Sequence, residues 1–294
     1  MMMRVVAFKL LLRLTSLLPL PVTHALGDGL GNLFNRINNP LRHVTRRNID
    51  RCFPQWTAQE RRQLVRKSLQ ETTKAALETG GHWLWSAEHI LAKIQNVSGL
   101  SSLEKVIARG KGVILAAPHL GAWEVAGLYC SRCGPMTTLY RPPRIQGLDK
   151  LIRVARERTG STLVRTDASG VRALYKALGR GELVAILPDQ EPDRASGVFA
   201  PFFGVQANTM TLISRLAAKS GAEVFMVYAE RLPKGKGYHL HIQKTDAAWS
   251  EGDEIQKATH LNQAVEQCVL QQPAQYQWAY KRFKTRPEGE GRFY

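Results

Sequence analysis

Lys111-GVILAAPHLGAWEVAGLYC-Ser131 is the stretch from which the fold is read. Val113 to Ala117 is a short run of aliphatic and small residues, consistent with a buried strand. Pro118 ends it, because proline cannot donate to a strand ladder. Gly121 loosens the backbone, and the pattern from Ala122 to Cys130 is helical. A histidine, His119, therefore stands at the carboxyl end of a strand, and a carboxylate, Glu124, just inside the following helix. On one continuous helix, positions five apart diverge by about 140°. With His119 in the preceding loop, its ring can fold back towards Glu124, which would hold one nitrogen and leave the other free as a base. Neither a G-x-S-x-G element nor a neighbouring nucleophile accompanies the pair, which suits direct activation of a substrate hydroxyl. The competing reading is a plain loop histidine and a first-turn glutamate favoured by the helix dipole.

Outward from this stretch, short strands alternate with helices. Strands are predicted near Val113–Ala117, Thr137–Tyr140, Thr162–Val164 and Leu183–Leu187, and helices near Ala122–Cys130, Leu148–Arg158 and Val171–Leu178. Such alternation argues for an α/β layered fold, a central mixed sheet flanked by helices with the site on loops at strand ends. Asn208–Lys219 reads as a helix, Glu223–Leu232 and Tyr238–Lys244 as a hairpin, and Glu254–Leu270 as a final long helix. Upstream, Thr57-Ala-Gln-Glu60 is a capping-box pattern opening a helix to about Leu77. Trp83 and Trp85 fit either core packing or a membrane boundary.

The chain has 294 residues and a hydrophobic content of 44%, enough for a sizeable core. Lys and Arg number 41 against 24 Asp and Glu, a net charge of +17, which points to a polyanionic partner. Val5–Leu20 is apolar but broken by Lys9 and Arg13, with Arg4 just ahead. A central membrane span bears about 2.5–3.5 kcal/mol for each such charge. The expectation is therefore an interfacial or snorkelling N-terminal anchor over residues 1–30, ahead of a single α/β domain over 31–294. A buried amphipathic helix is the alternative.

Cys130 and Cys133 form a lone C-x-x-C, and Cys52 and Cys268 are isolated, so neither a zinc site nor a disulfide framework is expected. There is no P-loop, no dinucleotide fingerprint and no nucleic-acid-binding motif, and aromatics do not interleave with the basic clusters.

His119-x-x-x-x-Glu124, Tyr140-Arg-Pro, Leu187-Pro-Asp-Gln and the C-terminal Arg282-FKTRPE-Gly289 occur in an order that resembles the late acyltransferases of lipid A biosynthesis. These are the lauroyl and myristoyl transferases of the wider lysophospholipid acyltransferase superfamily. The resemblance implies transfer of a fatty acyl group from acyl carrier protein to a hydroxyl of a Kdo-bearing lipid A precursor, at the cytoplasmic face of the inner membrane. No metal or cofactor is implied. His119 and Glu124 would be catalytic, with Glu124 orienting His119. Arg141, Arg156 and Asp189 would bind substrate: Arg141 and Arg156 by clamping phosphate, Asp189 by orienting an arginine or a hydroxyl. Arg158, beside Arg156, is expected on a solvated face. Glu191-Pro-Asp-Arg departs from the family's glycine-containing turn. A different lysophospholipid or glycolipid acceptor is the alternative within the class, and a basic nucleic-acid-binding protein the alternative outside it.

Overall fold

Ile114 and Ala116 point into one hydrophobic cluster, and Val113 and Leu115 into another. A strand buried on both sides must lie inside a sheet with helices on each face. The computed structural model describes residues 2–143, 147–193, 196–246, 249 and 251–294. Arg144, Arg194 and the side chain of Arg4 lie outside the described residues.

The strands are β1 (Ile94–Ser98), β2 (Val113–Ala116), β3 (Met136–Tyr140), β4 (Ser161–Arg165), β5 (Leu183–Ile186), β6 (Gly197–Phe202), β7 (Val205–Met210), β8 (Glu223–Arg231) and β9 (Tyr238–Lys244). Seven of them form one sheet in the order β1-β9-β8-β2-β5-β3-β4, and β6 and β7 form a separate antiparallel hairpin. From β8 to β4 every neighbour is parallel; β9 turns back on β8, and β1 follows β9. The sheet is mixed, as expected. The predicted strands and the β8–β9 hairpin are all present. β1 was not foreseen as a strand, whereas the apolar, aromatic run from Val198, read as a core strand, forms β6.

Helices α5 (Ala87–Leu91), α6 (Leu100–Ala108) and α7 (Trp123–Cys130) cover one face. Helices α9 (Ala168–Gly179), α10 (Leu212–Ser220) and α11 (Glu254–Gln271) cover the other. α8 (Asp149–Glu157) packs beside β4. The stretch expected as helix from Asn208 begins instead as strand β7, because Arg282 holds it: Nη1 donates to the Asn208 carbonyl at 2.7 Å and Nη2 to Thr209 Oγ1 at 3.0 Å.

Four helices precede the sheet: α1 (Met2–Ser16), α2 (Leu20–Arg36), α3 (Pro40–Cys52) and α4 (Ala58–Leu84). Thr57 and Glu60 close the expected capping box. α4 runs beyond Leu77 through Gly80 and Gly81. Gly80 is needed there, since a Cβ would stand 2.4 Å from the Leu12 carbonyl of α1. A second close approach occurs at Gly31 of α2, where a Cβ would meet Gln70 Cα at 2.4 Å.

α1 and α2 thus pack on α4, burying Leu12, Thr15 and Leu20. The anticipated boundary at residue 30 falls inside α2. No helix among the described residues is long and apolar enough to cross a membrane. On their outer side the same helices expose Leu10 at 56%, Leu14 at 54%, Leu26 and Leu33, and the residues just after them expose Leu17 at 78% and Ile37.

Beneath α2, Glu78 of α4 is buried and held by three groups. His24 Nε2 lies 2.7 Å from Oε1, Arg231 Nε 2.7 Å from Oε2, and Tyr238 Oη donates to Oε1 at 3.2 Å. Burial raises the pKa of Glu78, but the Arg231 charge and the His24 hydrogen bond outweigh it and leave the carboxyl far below its usual range.

Candidate active site

β2 and β5 are adjacent and parallel, with Ala116 opposite Ile186. Each strand is followed by one small or aliphatic residue, a proline and a polar residue: Ala117-Pro118-His119 and Leu187-Pro188-Asp189. Parallel strands in register deliver their following residues side by side, so His119 and Asp189 meet at the carboxyl edge of the sheet, where open α/β sheets place their sites. His119 Nδ1 lies 2.8 Å from Asp189 Oδ1, and the His119 backbone N–H donates to Oδ2 at 2.9 Å.

Asp189 is buried. Burial raises its pKa, yet the charge of His119 and its two hydrogen bonds outweigh that and hold the carboxyl below the ordinary range. An ionised carboxylate only accepts, so Nδ1 carries the proton and Nε2 presents its lone pair. The Gln190 side-chain amide, with Nε2 3.1 Å from His119 Nε2, occupies that lone pair.

The loop carrying His119 is fixed on both flanks. The His119 carbonyl accepts from the Gln277 N–H at 3.1 Å, Gly121 N–H donates to the Gln275 carbonyl at 3.1 Å, and Ala122 N–H donates to the Ala229 carbonyl at 2.7 Å. Gly121 has φ +59°, and a Cβ there would sit 2.1 Å from the Ala229 oxygen. Glycine is required by both conformation and space.

Glu124 does not touch His119, and this corrects the expected pairing. Its carboxylate takes a two-pronged contact from Arg156: Nη2 to Oε1 at 2.7 Å and Nε to Oε2 at 3.0 Å. Trp83 Nε1 donates to Oε1 at 3.2 Å. As the second residue of α7, Glu124 is turned towards α8 and the end of α4, where Arg156 and Trp83 engage its carboxylate. Burial raises the Glu124 pKa, but Arg156 outweighs it and lowers the value overall; burial opposes the Arg156 charge, but Glu124 outweighs that and raises the Arg156 pKa. The Arg156 guanidinium packs over Trp123 at 5.0 Å and Tyr140 at 5.5 Å, and Trp123 in turn meets the His119 ring edge-on at 5.2 Å. Glu124 and His119 are thus linked through Arg156 and Trp123.

Asp189 contacts the ring and the backbone N–H of His119, a pairing that the sequence reading had given to Glu124. Arg141 is 63% exposed and among the described residues pairs with Asp193 alone, at 3.2 Å across the loop after β5, an exposed contact of small energetic worth. The structure does not bring it to His119. Arg158 is not on a solvated face either. Its Nη2 donates to the His82 carbonyl at 2.7 Å and its Nη1 to the Trp83 carbonyl at 3.3 Å, closing the C-terminal end of α4. Glu191, in the departing turn, accepts from the Thr285 N–H at 2.9 Å and tethers that loop to the C-terminal segment.

The contact of Asp189 with His119 and the positions of Trp83, Trp123 and Gln190 were missed. The signal for the first was present: two apolar runs, each closed by proline and a titratable residue, are the mark of neighbouring strands ending at one site.

The family model for bacterial lipid A biosynthesis acyltransferases matches residues 3–285. The chain is 34% identical to the lipid A biosynthesis lauroyltransferase of Escherichia coli K12 over 273 residues, 92% of this chain and 88% of that protein. It is 32% identical to the palmitoleoyltransferase of the same organism, covering 94% and 90%. It is 26% identical to its myristoyltransferase, covering 89% and 80%.

Proposed function

This chain belongs to the bacterial lipid A biosynthesis acyltransferase family and is an acyltransferase, and from that premise we propose that it moves a fatty acyl group from acyl carrier protein to a hydroxyl of a Kdo-bearing lipid A precursor. The observation that carries the chemistry is the His119–Asp189 pair, with Nδ1 tied to the carboxylate and Nε2 turned outward.

The acceptor hydroxyl displaces the Gln190 amide and donates to His119 Nε2. As its oxygen attacks the thioester carbonyl carbon, Nε2 takes the proton and the carbonyl electrons move to oxygen. Asp189 stabilises the imidazolium in this step, as the acid does in hydrolase triads. The tetrahedral intermediate then collapses, the carbon–sulfur bond breaks, and Nε2 returns the proton to the leaving thiolate. The products are the ester and the free carrier thiol. General base catalysis of this kind supplies roughly 10²–10⁴-fold in rate. No metal and no cofactor enter the scheme.

Glu124 serves by holding Arg156 rather than by touching the base. Arg156, fixed by a carboxylate and two aromatic faces, positions the phosphorylated acceptor, and Arg141 at the outer rim adds a second cation. The net charge of +17 suits two acidic substrates, carrier protein and phosphorylated glycolipid, as well as an anionic membrane surface. The exposed leucines of α1 and α2 lie in that surface, at the cytoplasmic face of the inner membrane, as an interfacial anchor rather than a span.

Mass spectrometry of lipid A from cells lacking the protein tests the reading. One secondary acyl chain should be missing, restored by the wild-type chain and not by His119→Ala. Intact lipid A with an altered phospholipid profile would move the acceptor to another lipid.

A further inference from the structure

Away from His119, the other face of the β8–β9 hairpin gathers a set of donor atoms with no role in the chemistry above. Glu230 is opposite His239 across the pair, and Tyr228 is opposite His241. His239 and His241, two apart on β9, project from the same face, where Glu230 also lies. One ligand atom from each of Glu230, His239 and His241 lies within 4.8 Å of the others, the one such grouping of three among the described residues.

We propose that Glu230, His239 and His241 form a binding site for a zinc-class divalent cation. Two imidazoles and one carboxylate are a borderline donor set that matches Zn²⁺, whereas Mg²⁺ and Ca²⁺ take oxygen. Zinc holds nitrogen at about 2.0–2.1 Å, so the three atoms close on it by small side-chain rotations. The backbone need not move, because the strand register already sets the spacing.

The surroundings orient the donors. Gln272 Nε2 donates to Glu230 Oε1 at 2.7 Å and leaves Oε2 facing His241 Nε2 at 3.0 Å. Tyr228 stacks on the His241 ring at 4.6 Å, nearly parallel at 12°. The His239 and His241 ring centroids lie 4.0 Å apart with the planes tilted by 32°, and Ser98 Oγ is 2.7 Å from His239 Nε2. Such partners hold metal-ligating side chains in place. A water completes the coordination. A cation here joins β8 to β9 and, through Gln272, to the end of α11. Three residues on, Gln275 supports the loop of His119.

The test uses the full chain, purified in detergent and stripped with a chelator, titrated with Zn²⁺ by calorimetry with Mg²⁺ as control. One Zn²⁺ per chain should bind, raise the melting temperature, and be lost in His239→Ala and in His241→Ala while His43→Ala binds normally. Gln272→Ala, which removes no ligand, should weaken binding about 10–100-fold. If a histidine variant fails to fold, Glu230→Gln, of equal size, decides. No stoichiometric Zn²⁺ binding, or wild-type affinity in folded Glu230→Gln or in the histidine variants, overturns the site.

Discussion

His119 and Asp189, 70 residues apart in the chain, each stand three residues beyond a register pair, Ala116 and Ile186, on neighbouring parallel strands. Their contact follows from strand pairing. It is rigid because Asp189 binds both the ring and the backbone N–H of one residue.

His119→Ala should abolish acyl transfer. Asp189→Asn, which keeps size and loses charge, should lower kcat by about 10²-fold or more, since the imidazolium loses its partner. Specific activity of monodisperse protein, measured beside its melting temperature, decides this. Near-normal turnover by folded His119→Ala would remove the proposed base.

Glu124→Gln and Arg156→Lys should fail together. Each breaks the two-pronged contact, and lysine lacks the planar fork. In a double-mutant cycle the second change should cost much less than the first, with a coupling of about 0.5–3 kcal/mol. Because neither residue touches the base, the loss should fall on acceptor KM at least as much as on kcat. Additive effects would separate the two residues. Arg158→Lys should lower the melting temperature through the α4 carbonyls, and activity should follow the folded fraction.

Gly121→Ala forces a side chain into the left-handed region and against the Ala229 oxygen. Backbone strain of this kind costs about 1–3 kcal/mol. Thermal unfolding should show that loss, and activity should fall further than stability, because the loop that places His119 must move. A variant with normal activity and melting temperature would show that the loop adapts.

Leu14→Asp combined with Leu17→Asp should shift the protein from the membrane fraction to the soluble one without lowering its melting temperature, since both side chains face outward. Deleting the first 21 residues is a poorer test, because it also strips Leu12, Thr15 and Leu20 from the core. Unchanged sedimentation with membranes would assign attachment to another surface.

Acid should unfold the protein in part through Glu78. Its folded pKa lies below that of the unfolded chain, so its stabilising contribution is complete above the unfolded carboxylate range, about pH 4–5, and is lost as pH falls towards the folded value. Asp189 and Glu124 are shifted the same way. Glu78→Gln should cost about 3–5 kcal/mol at neutral pH, because Arg231 loses a buried partner. It should also flatten the melting temperature between about pH 2 and 5, which a pH series of thermal melts measures. An unchanged acid limb would place the sensitivity elsewhere.

The strands around His119 were legible because their apolar runs are short, branched and closed by proline. The start of α4 was legible because its cap, Thr57 with Glu60, is local. β7 was not legible, since its strand conformation depends on Arg282, far along the chain. The pairing of His119 was misread for the same reason. Glu124 is near in sequence and Asp189 is near in space, and only strand order tells them apart. The N-terminal segment showed its charge pattern, but the glycines that let it lie against α4 gain their meaning only from the facing helix.

Between leaving β2 and rejoining its neighbour as β5, the chain makes one excursion through α7, β3, α8, β4 and α9. Trp123, Glu124, Tyr140, Arg141 and Arg156 all belong to it, whereas His119 and Asp189 stand at its two ends. On the proposed roles, insertions or repacking within the excursion would reshape what the enzyme accepts while His119 and Asp189 stay tied to β2 and β5. A fragment that stops short of β5 would carry the base without its partner. Selectivity can drift in this architecture while reactivity stays tied to the completed sheet.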